Sequence, residues 1–425
     1  MEKRKLGQKF RAERLHGYVK KFSFPRLAGS PGEKKAVQLT SDLFNQLGFS
    51  QEQIETESFR SSDFYSTTLI KLIAMINLVF LLMFVFFTYL QFIISILVII
   101  GLVIIILFIL RGLRSPEHPG FWGKYYGKMF NATNVFVKIP SKNMSEERAG
   151  DIIISAHLDS KSQSFQTQWR VIFYRIWLFS AIFLGITFAL YIATLIGPFS
   201  LPSLFFQIGL WVPTILISIT NIFLMNLNTH NKSDGALDNA SGMAVVFELS
   251  SYFQNHPLNN FNLWFCQYSA EELGTMGSRV FVDNHEVQFE KGRIFQINLD
   301  MISCKGHRWN RVEYLKSYGV FPRRKIAPLL AEYLETAASK EDIEIYGFHL
   351  TTGAHTDSVP YHQRNFASID LVTRAASKYS HTKNDTPDKV DGEVLKDACI
   401  LIRRVVLNLD QNYQELCGNN ILECD

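Results

Sequence analysis

The chain has little of what would classify it quickly. Cysteine is scarce: Cys266, Cys304, Cys399, Cys417 and Cys424 are an odd number without the spacing of a disulfide framework, which fits a reducing compartment. Net charge is only +4 over 425 residues, too small a surplus to imply nucleic acid as a partner. The first residues, MEKRKLGQKFRAERLHGYVKKF, carry charge but no apolar segment, so a secretory signal is not expected. No internal repeat and no low-complexity linker divides the sequence.

What is abundant is hydrophobicity, at 47% of residues and a mean hydropathy of +0.05. It is concentrated in two blocks. Leu69 to Leu110 holds one charge, Lys71, and is long enough for two bilayer spans turning near Thr88–Gln91. Val171 to Met225 breaks near GPFSLPS and gives two more, over roughly Val171–Ile196 and Leu204–Met225. Four transmembrane helices in two hairpins are therefore expected. Arg60, Arg111 and Arg114 flank the first pair and Arg170 and Arg175 the second, while the turns within each pair are uncharged. Two hairpins return the chain to the side it left, and the basic flanks make that side cytoplasmic. The expected order is 1–66, 114–169 and 227–425 for one interrupted α/β domain, with hairpins at 67–113 and 170–226.

The soluble segments alternate apolar strands with helices. SPGEKKAVQLTSDLF opens a helix stopped at Gly48. NVFVKIP, GDIIISAHLDS, NFNLWFCQYSAEE, GRIFQINLDMIS, IEIYGFH and FASIDLV read as strands. Helices follow DNASG, span residues 325–338 and close the chain in DGEVLKDACILIRRVVLNL. This pattern predicts a mostly parallel sheet covered on both faces.

Metal-capable residues recur where these segments end. His157 and Asp159 close one strand, Asp238 opens a helix, Glu271 and Glu272 close the next strand, Asp300 ends INLD, and His381 lies in a late loop. Alone, each has an ordinary reading: a hydrogen-bonded histidine, a helix cap, a solvated turn. Together they are explained better by convergence at the carboxyl edge of a sheet. Imidazoles and carboxylates without thiolate suit a pair of divalent ions such as zinc. Asp238 is the natural bridge, and Asp159 can orient His157 through its second ring nitrogen. One of the adjacent glutamates is then a ligand and the other a general base.

The segments SAHLDS, GALDNASGMA, SAEELGTMGS, INLDMIS and HTKNDTPDKVD occur in this order, and together they resemble the M28 family of zinc peptidases. That resemblance implies a central mixed sheet flanked by helices and two zinc ions per chain. It implies His157 and Asp300 on one ion, Glu272 and His381 on the other, and Asp238 between them. Glu271 is implied as general acid/base toward a metal-bridging water in peptide-bond hydrolysis, with Asp159 orienting His157. The expected protein is a membrane-anchored exopeptidase, an aminopeptidase first, acting on peptides, with the lipid bilayer as its other partner and oligomeric state open. A carboxypeptidase would need a fixed cation for the terminal carboxylate, for which Arg279, Arg308, Arg364 and Arg374 are candidates. A catalytically silent scaffold or a glutaminyl-cyclase-like reaction are the alternatives. Three departures stand out: Thr356-Asp357-Ser358 occupies the place of the family's S-D-H loop, with His355 and His362 nearby, no inserted protease-associated domain is seen, and the apolar blocks interrupt the catalytic domain.

Overall fold

The computed structural model describes residues 10–112, 127–146, 148–198, 200–306, 310–351 and 356–418. They form two compact units. The first comprises residues 1–61, 129–162 and 230–425, and the second 62–128 and 163–229.

The first unit is built on strands β1 (Ile54–Ser62), β2 (Met129–Ile139), β3 (Gly150–His157), β4 (Phe261–Tyr268), β5 (Ile294–Asp300), β6 (Val312–Tyr318), β7 (Arg324–Lys325), β8 (Ile345–Leu350) and β9 (Ala367–Val372). Their order is β1-β2-β4-β3-β5-β9-β6-β8, with β7 on β6. The β4–β3–β5–β9 centre is parallel, while β2 and β6 run antiparallel to β4 and β9. β3, β4 and β5 are buried along their whole length, as parallel strands covered on both faces must be. Side chains alternate between the two layers. Ile152, Ile154, Leu263 and Phe265 face one core, which contains buried residues of helices α1 (Ala12–Phe22), α2 (Pro31–Gln46), α7 (Ser241–Gln254), α9 (Pro328–Glu341) and α11 (Gly392–Gln411). Ile153, Trp264 and Tyr268 face the other, which contains residues of α8 (Met276–His285) and α10 (Val359–Gln363). The sequence-predicted α2 starts where expected: Ser30 Oγ accepts from Glu33 N at 3.3 Å and Pro31 follows. β1, β6 and α8 were not expected from the sequence. β1 has a largely exposed middle, so it shows no apolar alternation.

The connections place the site. β3, β4, β5 and β9 end on one edge, with His157 opposite Tyr268 and Asp300 opposite Val372. The chain leaves this unit after Ser61 and, shortly beyond β3, after Ser162, and it re-enters at Met129 and at His230. β2 runs antiparallel to β4, so Met129 also lies toward the carboxyl edge.

The second unit contains α3 (Thr67–Leu90), α4 (Phe92–Gly112), α5 (Thr167–Ile196) and α6 (Ser203–Met225). All four are long and apolar enough to cross a membrane. Its surface is apolar, with Phe86, Ile93, Leu107, Phe179 and Ile186 exposed. Three of its buried hydroxyls are satisfied locally. Thr88, Thr187 and Thr214 hydroxyls donate to the carbonyls of Phe84, Phe183 and Leu210 at 2.7, 3.0 and 2.6 Å.

Candidate metal centre

Every sequence-predicted ligand arrives at the carboxyl edge. His157, Asp238 and Asp300 form one cluster, and Asp238, Glu272 and His381 a second; in each, potential ligand atoms lie within 4.8 Å of one another. In the first, His157 Nε2 is 3.2 Å from Asp238 Oδ1 and 3.6 Å from Asp300 Oδ1. In the second, His381 Nε2 is 3.2 Å from Asp238 Oδ2 and 3.0 Å from Glu272 Oε2. Asp238 thus turns one oxygen to each cluster.

The local backbone is held in unusual conformations to do this. Ala270, Met301 and His381 have φ of 60°, 51° and 60°, left-handed values that non-glycine residues hold only when their surroundings impose them. Asn239 ties two ligand loops together. Its Nδ2 donates to Leu299 O at 2.7 Å, and its Oδ1 accepts from Gly242 N and Met301 N at 3.0 and 3.2 Å. A Cβ at Gly242 would lie 2.5 Å from Leu299 O, which accounts for the small residues of DNASG. Asp385 receives Leu237 N at 2.6 Å and Asp238 N at 3.2 Å.

Asp159 differs from the sequence expectation in its main contacts. His157 Nδ1 lies 3.2 Å from the Asp159 carbonyl and 3.6 Å from its carboxylate. β3 ends at His157, so Asp159 is on a turn, not on the same strand face. Its carboxylate instead accepts from Glu271 N at 3.1 Å and Glu272 N at 3.3 Å. One side chain therefore positions both glutamates and touches His157.

The site calls for positive charge. His157 Nε2 and Asp300 Oδ1 are buried without a well-formed hydrogen bond. Burial opposes protonation of His157, yet the neighbouring carboxylates of Asp159, Asp238 and Asp300 push its pKa well above the ordinary imidazole value. Burial opposes ionisation of Asp238, yet His157 and His381 hold it below the usual carboxylate range. Burial, assisted by Glu272, Asp300 and Asp357, pushes Glu271 well above that range. These imidazoles and carboxylates, gathered around unmet buried atoms, fit divalent zinc.

Three participants carried no sequence signal. Lys161, buried, donates from Nζ to Glu272 O at 2.9 Å and pairs with Glu272 Oε2 at 2.9 Å. With Lys161 and His381 nearby, Glu272 is held down to about 2 although burial opposes it. Arg26, fully buried, donates to Leu158 O at 2.6 Å, Asp234 O at 2.7 Å and Gly235 O at 2.8 Å, joining the turn after His157 to the loop before Asp238. Asp370 accepts from Thr356 Oγ1 and Ser358 Oγ, both at 2.8 Å. The Thr and Ser of the departing loop thus pin Asp357, whose carboxyl burial pushes up to about 7. His362 is partly buried in α10, while His355 lies outside the described residues.

Residues 224–406 match Peptidase family M28. This match covers less than half of the 425 residues. An M28-region match of 28% identity over 179 residues joins it to aminopeptidase YwaD of Bacillus subtilis (strain 168), covering 41% of this chain and 37% of that protein. The chain thus spans little more than a third of that relative's length. A shorter match, 32% over 78 residues, covers 18% of the chain and 16% of the probable lipoprotein aminopeptidase LpqL of Mycobacterium tuberculosis. A similar fold is seen in the aminopeptidase from Aneurinibacillus sp. strain AM-1, with a TM-score of 0.54 at 14% identity over 97% of this chain and 95% of that one. A glutaminyl cyclase from an Acidobacteriales bacterium shares it too, with a TM-score of 0.53 at 16% identity over 95% and 96%.

Proposed function

We propose that the chain is a membrane-anchored zinc aminopeptidase in which two ions share Asp238. The observation that carries this reading is the division of the Asp238 oxygens between two otherwise similar ligand clusters. His157 and Asp300 would complete one position, and Glu272 and His381 the other. When bound, the ions supply polarisation of a peptide carbonyl and an acidified water. Glu271 belongs to neither cluster, and Asp159 holds its backbone N–H. Glu271 is therefore the carboxylate left to take a proton from water and return it to the departing amine.

The candidate cations for a substrate's C-terminal carboxylate already have partners. Arg279 donates to Thr275 Oγ1 and Gln363 Oε1, both at 3.0 Å. Arg364 bonds Glu286 and Asp283. Arg374 makes two bonds to Glu313, at 3.1 and 3.0 Å. Arg308 lies outside the described residues. This supports recognition of a free amino terminus.

The four apolar helices supply the anchor, and the basic flanks at Arg60, Arg111, Arg114, Arg170 and Arg175 favour a cytoplasmic catalytic unit. Because the second apolar block begins at Val171, shortly after His157 in sequence, peptides at or near a membrane are the favoured substrates. The test is hydrolysis of a free-amine peptide and its N-acetylated twin by zinc-loaded protein. Cleavage of the free-amine peptide alone, abolished by Glu271→Gln, is expected. Cleavage of the blocked peptide would replace this reading by a carboxy- or endopeptidase.

A further inference from the structure

Buried carboxylates outside the ligand set are mostly supplied with donors. Asp151 accepts from Asn262 Nδ2 at 3.1 Å and Trp264 Nε1 at 2.7 Å. Asp159 and Asp385 each take two backbone N–H groups. Glu33 takes Thr133 N and Ser269 Oγ. Asp357 departs from this pattern. It is 1% exposed, and among the described residues it alone has both carboxylate oxygens buried without a well-formed hydrogen bond. The Ser278 hydroxyl lies beside it but donates to Thr275 O at 3.1 Å. No lysine or arginine among the described residues pairs with it.

The backbone around Asp357 is fixed from the sheet. Ser155 Oγ donates to Asn298 Oδ1 at 3.0 Å, and Asn298 Nδ2 donates to Asp370 Oδ1 at 2.9 Å. Asp370 also takes the hydroxyls of Thr356 and Ser358, on either side of Asp357. Gln296 Nε2 donates to the Asp357 carbonyl at 3.3 Å. Asn298 and Asp370 are opposite each other on β5 and β9, two residues before Asp300 and Val372. This buried polar row therefore runs about 7 Å behind the row that holds Asp300. The carboxyl of Asp357 sits among the groups of the first cluster: its charge acts on Glu271, and it feels His157, Asp159 and Asp300. Asp357 belongs to neither ligand cluster. It is scarcely more hidden than the ligands, since His157 and Glu272 are 2% and 4% exposed.

We propose that Asp357 receives the free amino terminus of the substrate. The inference rests on the aminopeptidase reading above and names the group that makes it selective. A buried carboxylate calls for a cation or several donors. Here the fold clamps one in place, and its described residues provide neither. An ammonium group brings a positive charge and three N–H donors to the two bare oxygens. An N-acetylated terminus brings one neutral donor, and a des-amino terminus brings none. Either leaves the buried carboxylate without its partner, and a site built around such a bond rejects the analogue that lacks it. The clamp on Thr356 and Ser358 holds the acceptor in position before the substrate arrives, so little ordering is left to the binding step.

The test is a double-mutant cycle on the zinc-loaded full chain. Wild type and Asp357→Asn are each given a leucyl peptide and its des-amino, 4-methylpentanoyl twin. Asp357→Asn should lower kcat/KM for the leucyl peptide by about 10- to 100-fold, chiefly through KM. The des-amino peptide and the zinc content, read by elemental analysis, should be unchanged. Asp357→Glu should restore part of the preference, which a residue that only braces the loop would not do. If Asp357→Asn does not fold, Asp357→Ser enters the same cycle. An equal loss on both twins, or a loss of zinc, would overturn the assignment and leave the aminopeptidase reading intact. A loss seen with a lysyl peptide but not with the leucyl one would move Asp357 to a side-chain pocket and overturn it too. Wild-type protein that cleaves both twins alike would overturn that reading and this inference together.

Discussion

The two ligand clusters have the same chemistry and different neighbours. Each has one imidazole and two carboxylates, and they share Asp238. Around the first, the nearby groups are acids: Asp159, Glu271 and Asp357 act on His157 or Asp300. The second has a buried ammonium, Lys161, on Glu272. The consequence appears in the carboxylates. Burial leaves Asp300 above its ordinary range, whereas His381 and Lys161 keep Glu272 at about 2. Ligand identity therefore does not by itself set the demand for a cation, and the first position is expected to hold its ion more tightly.

The largest effect should come from the group both clusters use. Asp238→Asn is expected to cut bound zinc at both positions, read by elemental analysis. It should also lower kcat/KM by about a thousandfold or more, since carbonyl polarisation and water activation are each worth several kcal/mol. Loss of a single ion would break the symmetry assigned to Asp238. Next, Glu271→Gln should retain the zinc of the wild type while kcat falls by about 10² to 10⁴. A parallel loss of metal would make Glu271 a ligand.

Asp159→Asn is expected to weaken zinc by roughly 10- to 100-fold, the usual range for a residue that orients ligands. Because Asp159 touches His157 and also holds the Glu272 amide, calorimetric titration should find both positions affected. An effect confined to the first would limit its role to the imidazole. The smallest change is expected for Lys161→Met. Removing a cation beside Glu272 should strengthen the second position by about tenfold, given the size of charge interactions in a partly screened interior. Weaker binding there would show that Lys161 chiefly orients Glu272.

Three of the candidate ligands, His157, Glu272 and Asp300, were legible because they fall where an apolar run stops. β3, β4 and β5 are fully buried, so their last polar residues are conspicuous. The four long apolar helices were legible because length and hydrophobicity together mark them in the sequence. β1 was not, because IETESFRSS presents mostly polar residues and its middle is exposed. Asp159 was assigned only part of its role, because a turn after His157 redirects its carboxylate to the amides of Glu271 and Glu272. Arg26 left no trace because the acceptors it joins near the site, Leu158 O, Asp234 O and Gly235 O, are backbone carbonyls more than a hundred residues away, and any residue type supplies a carbonyl.

By itself, the sequence determined the apolar segments, the strand-and-helix alternation and the residue types that end each strand, since these follow from local periodicity and side-chain chemistry. Only the tertiary structure decided that the Asp238 oxygens divide between two clusters and that Lys161 charges one of them and not the other. Those facts depend on distances between segments remote in sequence, and electrostatic and hydrogen-bond energies vary with distance, orientation and burial.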